Sequence, residues 1–160
     1  MKTDQTAGAL AALESLIQAS SGAAGPALAD SIAWEPRRMN AAELFEFWRS
    51  IRMIAMTTVG PKGQPHTAPV HAELRGASVR ILVYDDAARR RDIAGNPRVA
   101  LTAWNEDGAV AILYGRAHEI DGSLRDARPA QSGRPRRVVE VDVRLTRVHA
   151  MNAKKVCGDR

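Results

Sequence analysis

The sequence predicts a mainly β domain: six strands joined largely by hairpins into an antiparallel barrel or sandwich, with a few short helices. Three observations carry this expectation. Val139, Val141, Val143 and Leu145 alternate with Glu140, Asp142, Arg144 and Thr146, the period-two pattern of a strand with one buried face. Glycine-bearing turns recur: Gly60-Pro61-Lys62-Gly63, Arg75-Gly76-Ala77-Ser78, and Asn105-Glu106-Asp107-Gly108, where Gly108 meets a need for positive φ. The helical patterns between them are short.

In chain order, residues 1–36 form a compositional zone of their own. Residues 7–19 fit a helix whose stripe of Leu10, Leu13, Leu16 and Ile17 is weak, and residues 20–29 form a Gly/Ala/Ser/Pro linker. The zone is either a loosely ordered extension or an arm that packs on the domain or on a partner subunit. The folded domain occupies residues 37–150. It opens at Asn40, which forms a capping-box pattern with Glu43 ahead of Leu44, Phe45, Phe47 and Trp48. That helix, residues 40–50, holds much of the chain's aromatic area and plugs one end of the core. Strands follow at residues 53–59, 67–74, 79–84, 98–104, 109–120 and 139–145. Residues 124–136 contain Pro129, Gly133 and Pro135 and form a polar loop, in which Arg128 is expected to stand clear of any ligand. Residues 151–160 are a basic, mobile tail.

Residues 81–104, ILVYDDAARRRDIAGNPRVALTAW, hold a strand, a short helix and another strand. Asp86 is the expected N-cap, Ala87, Ala88 and Arg89 the first helical residues, and Gly95 the left-handed residue after the helix, ahead of Pro97. Arg89, Arg90 and Arg91 therefore crowd the end of the helix whose dipole disfavours cations. Two readings stand: a solvated basic face with Arg89 paired to Asp92, or an anion site in which phosphate resolves the conflict.

With 160 residues the chain fits one domain with one core, and with 4% aromatics that core must be aliphatic. The net charge of +5 permits contact with nucleic acid. However, Arg134, Arg136, Arg137, Lys154 and Lys155 lack interleaved aromatics, so nucleic acid is not the expected partner. No apolar run is long enough to span a bilayer, and Asp4 and Glu14 break the pattern of a secretory signal, so the expected location is the cytoplasm. Cys157 stands alone, which excludes a disulfide framework, and in the tail it reads as an exposed thiol. No metal site is expected: His66 and His71, five apart on one predicted strand, point to opposite faces. Those two, with His118 and His149, read as surface or hydrogen-bonded structure, the alternative being a haem-ligand role for His66 or His71.

The order of motifs adds a resemblance. Met56-Thr-Thr-Val-Gly-Pro-Lys-Gly-Gln-Pro-His66 with Ala68-Pro-Val70, then Ala88-Arg-Arg-Arg-Asp-Ile-Ala-Gly-Asn-Pro-Arg-Val99, then Tyr114-Gly-Arg-Ala117, resembles the pyridoxamine 5′-phosphate oxidase-like, FMN-binding split-barrel family. The likeness implies a split barrel over residues 37–150 and a homodimer with FMN, or a deazaflavin coenzyme, at the subunit interface. It implies cofactor contacts at Ala68, Pro69 and Val70, at Val83, Tyr84 and Asp85, and at Arg89 and Arg90, with Trp104 where the partner approaches. The implied activity is redox chemistry on a small organic substrate, with no side chain singled out as acid or base. The alternative is a non-enzymatic split barrel that binds a cofactor or ligand, haem included. The sequence departs from the vitamin-synthesising oxidases at Ala68 and Glu73, where a basic pair grips the phosphate, and at Val83, Ala87 and Ala88. The pyridoxal-binding segment has no counterpart.

Overall fold

The computed structural model describes residues 2–129 and 131–153, with side chains from residue 7 onward. Lys154, Lys155 and Cys157 lie outside the described residues. The first helix, α1, spans Lys2–Gly22. Its buried face is narrow: Leu13 and Ile17, one turn apart, and Ser20. Polar atoms fix its position. The Ser20 hydroxyl accepts from the Val148 amide at 2.9 Å, and Glu14 accepts from the Ala41 amide at 2.7 Å. Ala9 packs so closely on Gly76 that a Cβ there would lie 3.0–3.1 Å from it, and Gly76 also has a φ of 61°.

A short helix α2 (Pro26–Ala29) and a 3₁₀ turn (Glu35–Arg37) lead to α3, Ala41–Ser50. Asn40 and Glu43 form the capping box indicated by the sequence, and Leu44, Phe47 and Trp48 are buried. The Trp48 indole donates to the Ala72 carbonyl at 3.0 Å, tying the helix to the sheet.

The remaining elements are β1 (Ile54–Val59), β2 (Pro65–Val70), β3 (Ala72–Arg75), β4 (Ser78–Tyr84), α4 (Ala88–Gly95), β5 (Arg98–Trp104), β6 (Val110–Glu119), β7 (Arg125–Ala127) and β8 (Arg136–Met151). Every pairing is antiparallel, in the order β2-β1-β5-β6-β8-β4-β3, with β7 beside β8. This curled sheet with few helices is a split barrel, and it has eight strands where six were expected. The predicted strand at 67–74 divides at His71 because its halves have different neighbours, β1 for the first and β4 for the second. The predicted loop at 124–136 contains the short β7, which takes up β8 where β6 leaves it. Pro69 fits because β2 is an edge strand.

Val79, Ile81 and Val83 from β4, Leu101 from β5, Leu113 from β6 and Val139, Val141 and Val143 from β8 fill the inner face. Each buried aliphatic side chain contributes about 1.5–3 kcal/mol of transfer free energy. The outer face of β1, β5 and β6 is different. Cross-strand rows there run Thr57-Ala100-Tyr114, Ala55-Thr102-Ile112 and Trp104-Val110. These residues are half-buried or exposed, with Trp104 60% exposed. On the same face, opposite Ile112, His149 is only 3% exposed, and among the described residues neither ring nitrogen has a hydrogen-bond partner. It is thus neither surface nor hydrogen-bonded structure. Burial, with the Arg147 charge adding, holds its pKa below the ordinary histidine value.

Candidate functional site

Helix α4 starts one residue later than the sequence suggests. Its N-cap is Ala87, with no side-chain cap bond, and Gly95 is its last residue with no positive φ. Asp86 does not cap because Arg136 binds its carboxylate at 2.8 Å, and Asp85 likewise pairs with Arg137 at 2.9 Å.

The three arginines at the start of α4 take three different surroundings. Arg90 forms a fork with Glu119 through two bonds of 2.8 Å, fastening the helix to β6. Arg91 is exposed and makes one long contact, 3.4 Å to the Asp86 carbonyl. Arg89 is half-buried and, among the described residues, has no ion pair or side-chain hydrogen bond.

Arg89 lines an open groove of about 1070 Å³ across the outer face of β3 and β4. The floor is apolar: Pro69, Val70, Leu82 and Tyr84, with Leu82 50% exposed. The walls are rich in arginine. Arg75 pairs with Glu73 at 2.7 Å, and Glu140 accepts from Arg80 and Arg125, both at 2.7 Å. Those two hydrogen bonds keep Glu140 ionised, below the usual carboxylate range. Arg136 stacks on the Tyr84 ring, 3.6 Å from its centroid. Arg52 and Arg128 also line the groove, so Arg128 does not stand clear of it.

Of the residues that the motif resemblance indicates, Pro69, Val70, Tyr84 and Arg89 meet in this groove. Val83 faces the core and is fully buried, Ala68 lies off the groove lining, and Asp85 and Arg90 are occupied by Arg137 and Glu119. Trp104 lies on the outer face at the far end of β5. The groove suits a planar aromatic ring carrying an anion: apolar floor, a free guanidinium at its edge, and Glu73 neutralised by its own arginine. The grip is partial, since Ala68 contributes no charge.

On the other side of α4, Asp92 is 4% exposed and accepts at 2.7 Å from both the Thr58 hydroxyl and His66 Nδ1. Burial alone would raise this carboxyl, but bonds from His66 and Thr58, with the Arg91 charge, hold it below the usual carboxylate range. An ionised Asp92 places the proton on Nδ1, leaving Nε2 as the free nitrogen of His66. Arg89 does not pair with Asp92. The partner of Asp92 lies 26 residues away in sequence, and only the docking of α4 on β1 and β2 brings the two together. Among the described residues no cluster of metal-ligating side chains forms, and no helix is long and apolar enough to cross a membrane.

A family model described as pyridoxamine 5′-phosphate oxidase matches residues 41–152. No curated protein matches the sequence. Among solved structures, a conserved hypothetical protein from Mycobacterium tuberculosis superposes with a TM-score of 0.62 at 17% identity, covering 79% of this chain and 92% of that one. An F420 reductase gives 0.52 at 20% identity, covering 64% and 93%. The heme storage protein HutZ from Vibrio cholerae gives 0.55 at 12% identity, covering 70% and 94%. At these identities the likeness is one of fold.

Proposed function

Because the chain belongs to the pyridoxamine 5′-phosphate oxidase family of split barrels, we propose that it is a homodimeric FMN-binding flavoprotein that oxidises or reduces a small organic substrate. The observation that carries this reading is Arg89, a guanidinium with no protein partner among the described residues, at the edge of an apolar-floored groove. A bound flavin would supply the redox chemistry. The chain's own residues bind and orient: Arg89 holds the phosphate, while Pro69, Val70, Leu82 and Tyr84 give the ring an apolar bed. The Glu73–Arg75 and Arg80–Glu140–Arg125 contacts engage three of the groove's arginines, which leaves Arg89 unpaired among the described residues, with Arg52 and Arg128 adding positive charge to the wall. Pro69 belongs both to the groove and to the edge of the apolar outer face, so a second copy on that face would close the groove's open side.

A second reading is a deazaflavin coenzyme, or ligand binding without catalysis, in line with the F420 reductase and heme storage protein that share the fold. Arg52 and Arg128, which extend the basic wall, favour a longer anionic ligand. The test is an FMN titration followed by visible absorption. The wild type should bind, and Arg89→Ala should bind about 10- to 100-fold more weakly, the loss of one charge-assisted hydrogen bond. Arg49→Ala, exposed on α3 and away from the groove lining, is the control. Equal affinities in all three would remove Arg89 from the site. No FMN binding by an intact dimer would favour the second reading.

A further inference from the structure

The turn between β1 and β2 and the far side of α4 border a second cavity, of about 810 Å³. One wall is a single face of α4, where Ala88, Arg91, Asp92 and Gly95 follow the spacing i, i+3, i+4, i+7. Gln64, His66 and Asn96 supply the other polar side chains. We propose that this cavity binds the head group of a free α-amino acid, an ammonium and a carboxylate carried on one carbon, at a site separate from the groove. The free polar atoms of the lining are of both kinds. On the donor side, the Gln64 oxygen accepts from the Lys62 amide at 2.9 Å and the Asn96 oxygen from the Arg98 amide at 3.1 Å, so both side chains keep their NH₂ groups for a ligand. Arg91 is exposed, and its one contact, 3.4 Å to the Asp86 carbonyl, leaves most of its fork unused. On the acceptor side, Thr58 and His66 both bind Oδ2 of Asp92. Its Oδ1 touches solvent and has no partner among the described residues. With Nδ1 engaged by that carboxylate, a neutral His66 ring adds Nε2 as a second acceptor.

The two charged poles do not cancel each other. Arg91 acts on Asp92 through its field, yet the two form no ion pair among the described residues. An anion alone would satisfy Arg91 and face the Asp92 carboxylate, and a cation alone would meet the reverse conflict. An amino acid satisfies both poles: its ammonium donates to Asp92 Oδ1 and His66 Nε2, and its carboxylate accepts from Arg91, Gln64 and Asn96. Two glycines shape the space. A Cβ at Gly60 would lie 2.5 Å from Gln64 Nε2 and 2.9 Å from His66 Cε1, so the turn packs directly on both groups. A Cβ at Gly95 would meet no neighbouring atom within 4 Å, which leaves that end of the α4 face open to a ligand.

The experiment follows the Gln64 and Asn96 side-chain amide signals of the full-length protein by NMR at neutral pH. L-alanine is titrated against propionate, which lacks the ammonium, ethylammonium, which lacks the carboxylate, and lactamide, which carries neither charge, all at matched ionic strength. L-alanine should move both amides with saturation, and each of the other three should bind at least about 10-fold more weakly, for want of one or both charge-assisted contacts. Arg91→Ala should weaken L-alanine binding about 10-fold, and Arg89→Ala, which belongs to the groove, should not change it. Asp92→Asn should give a similar loss, but it also loosens the bonds that dock α4. Gly95→Leu only fills the open space, and it should weaken binding with the fold intact. The proposal is overturned by amides that show no saturable response to L-alanine, by propionate, ethylammonium or lactamide binding as tightly as L-alanine, or by unchanged affinity in both Arg91→Ala and Gly95→Leu. Absence of FMN binding in the groove leaves this result untouched, so the two sites fail independently.

Discussion

At the scale of single residues, the buried polar groups carry the sharpest consequences. His149 is neutral in the fold because burial opposes its charge, so its folded pKa lies below its unfolded value. The unfolded chain takes up the proton first, and stability therefore falls as pH drops below the ordinary histidine value of about 6.5. Urea denaturation midpoints measured from about pH 7.5 down to about 5.5 should decline in the wild type, and His149→Leu should flatten that decline. A slope unchanged by the substitution would show that other groups set the acid sensitivity. Asp92 acts in the same sense at lower pH: its lowered pKa gives stability that is present above the carboxylate range and lost in acid. Neither role was legible in the sequence. His149 sits in an alternating strand like any solvent-side residue, and its covering is a tertiary fact. Three cations at a helix start mark this stretch in the sequence, because they conflict with the helix dipole, but which of the three stays without an acidic partner is again a tertiary fact.

At the scale of elements, β8 shows how far alternation alone can go. Val139, Val141, Val143 and Leu145 face inward as the pattern indicates, and each of the first three lies beside a β4 residue: Val83, Ile81 and Val79. Val141→Asp should abolish folding, costing more than about 4 kcal/mol for an unpaired buried carboxylate. A soluble variant with an unchanged melting temperature would contradict the core assignment. The elements that were harder to foresee lack such a signature. The break at His71 has no sequence marker, since residues 67–74 stay strand-like while the chain changes neighbour. The short β7 is polar and three residues long, below what periodicity can reveal. Helix α1 hides its role for another reason: among its described side chains only Leu13 and Ile17 are buried hydrophobics, and the hydrogen bonds that dock it involve Glu14 and Ser20.

At the scale of the whole molecule, the outer face of β1, β5 and β6 is the face that the proposed homodimer would use. Its rows of Ala, Thr, Ile, Tyr and Trp carry no carboxylate, and Trp104 projects from it. A second copy of the chain on this face is the expected occupant, and the protein should sediment as a dimer. Ile112→Glu, at the centre of the face, should shift it toward monomer, because two like charges would meet across a symmetric contact. Trp104 emission should fall when FMN binds to the dimer. A monomer that retains tight flavin binding would sink the dimeric site.

The bond between Ser20 and Val148 joins positions 128 residues apart. On a ribosome that adds roughly 5–20 residues per second, the first helix would wait on the order of 6–25 s before its binding surface exists. During that interval Leu13 and Ile17 are without their final partners, and β4 and β6 lack the strand that both of them flank. Leu13, Ile17 and the edges of β4 and β6 therefore stay uncovered until the chain through Val148 has emerged.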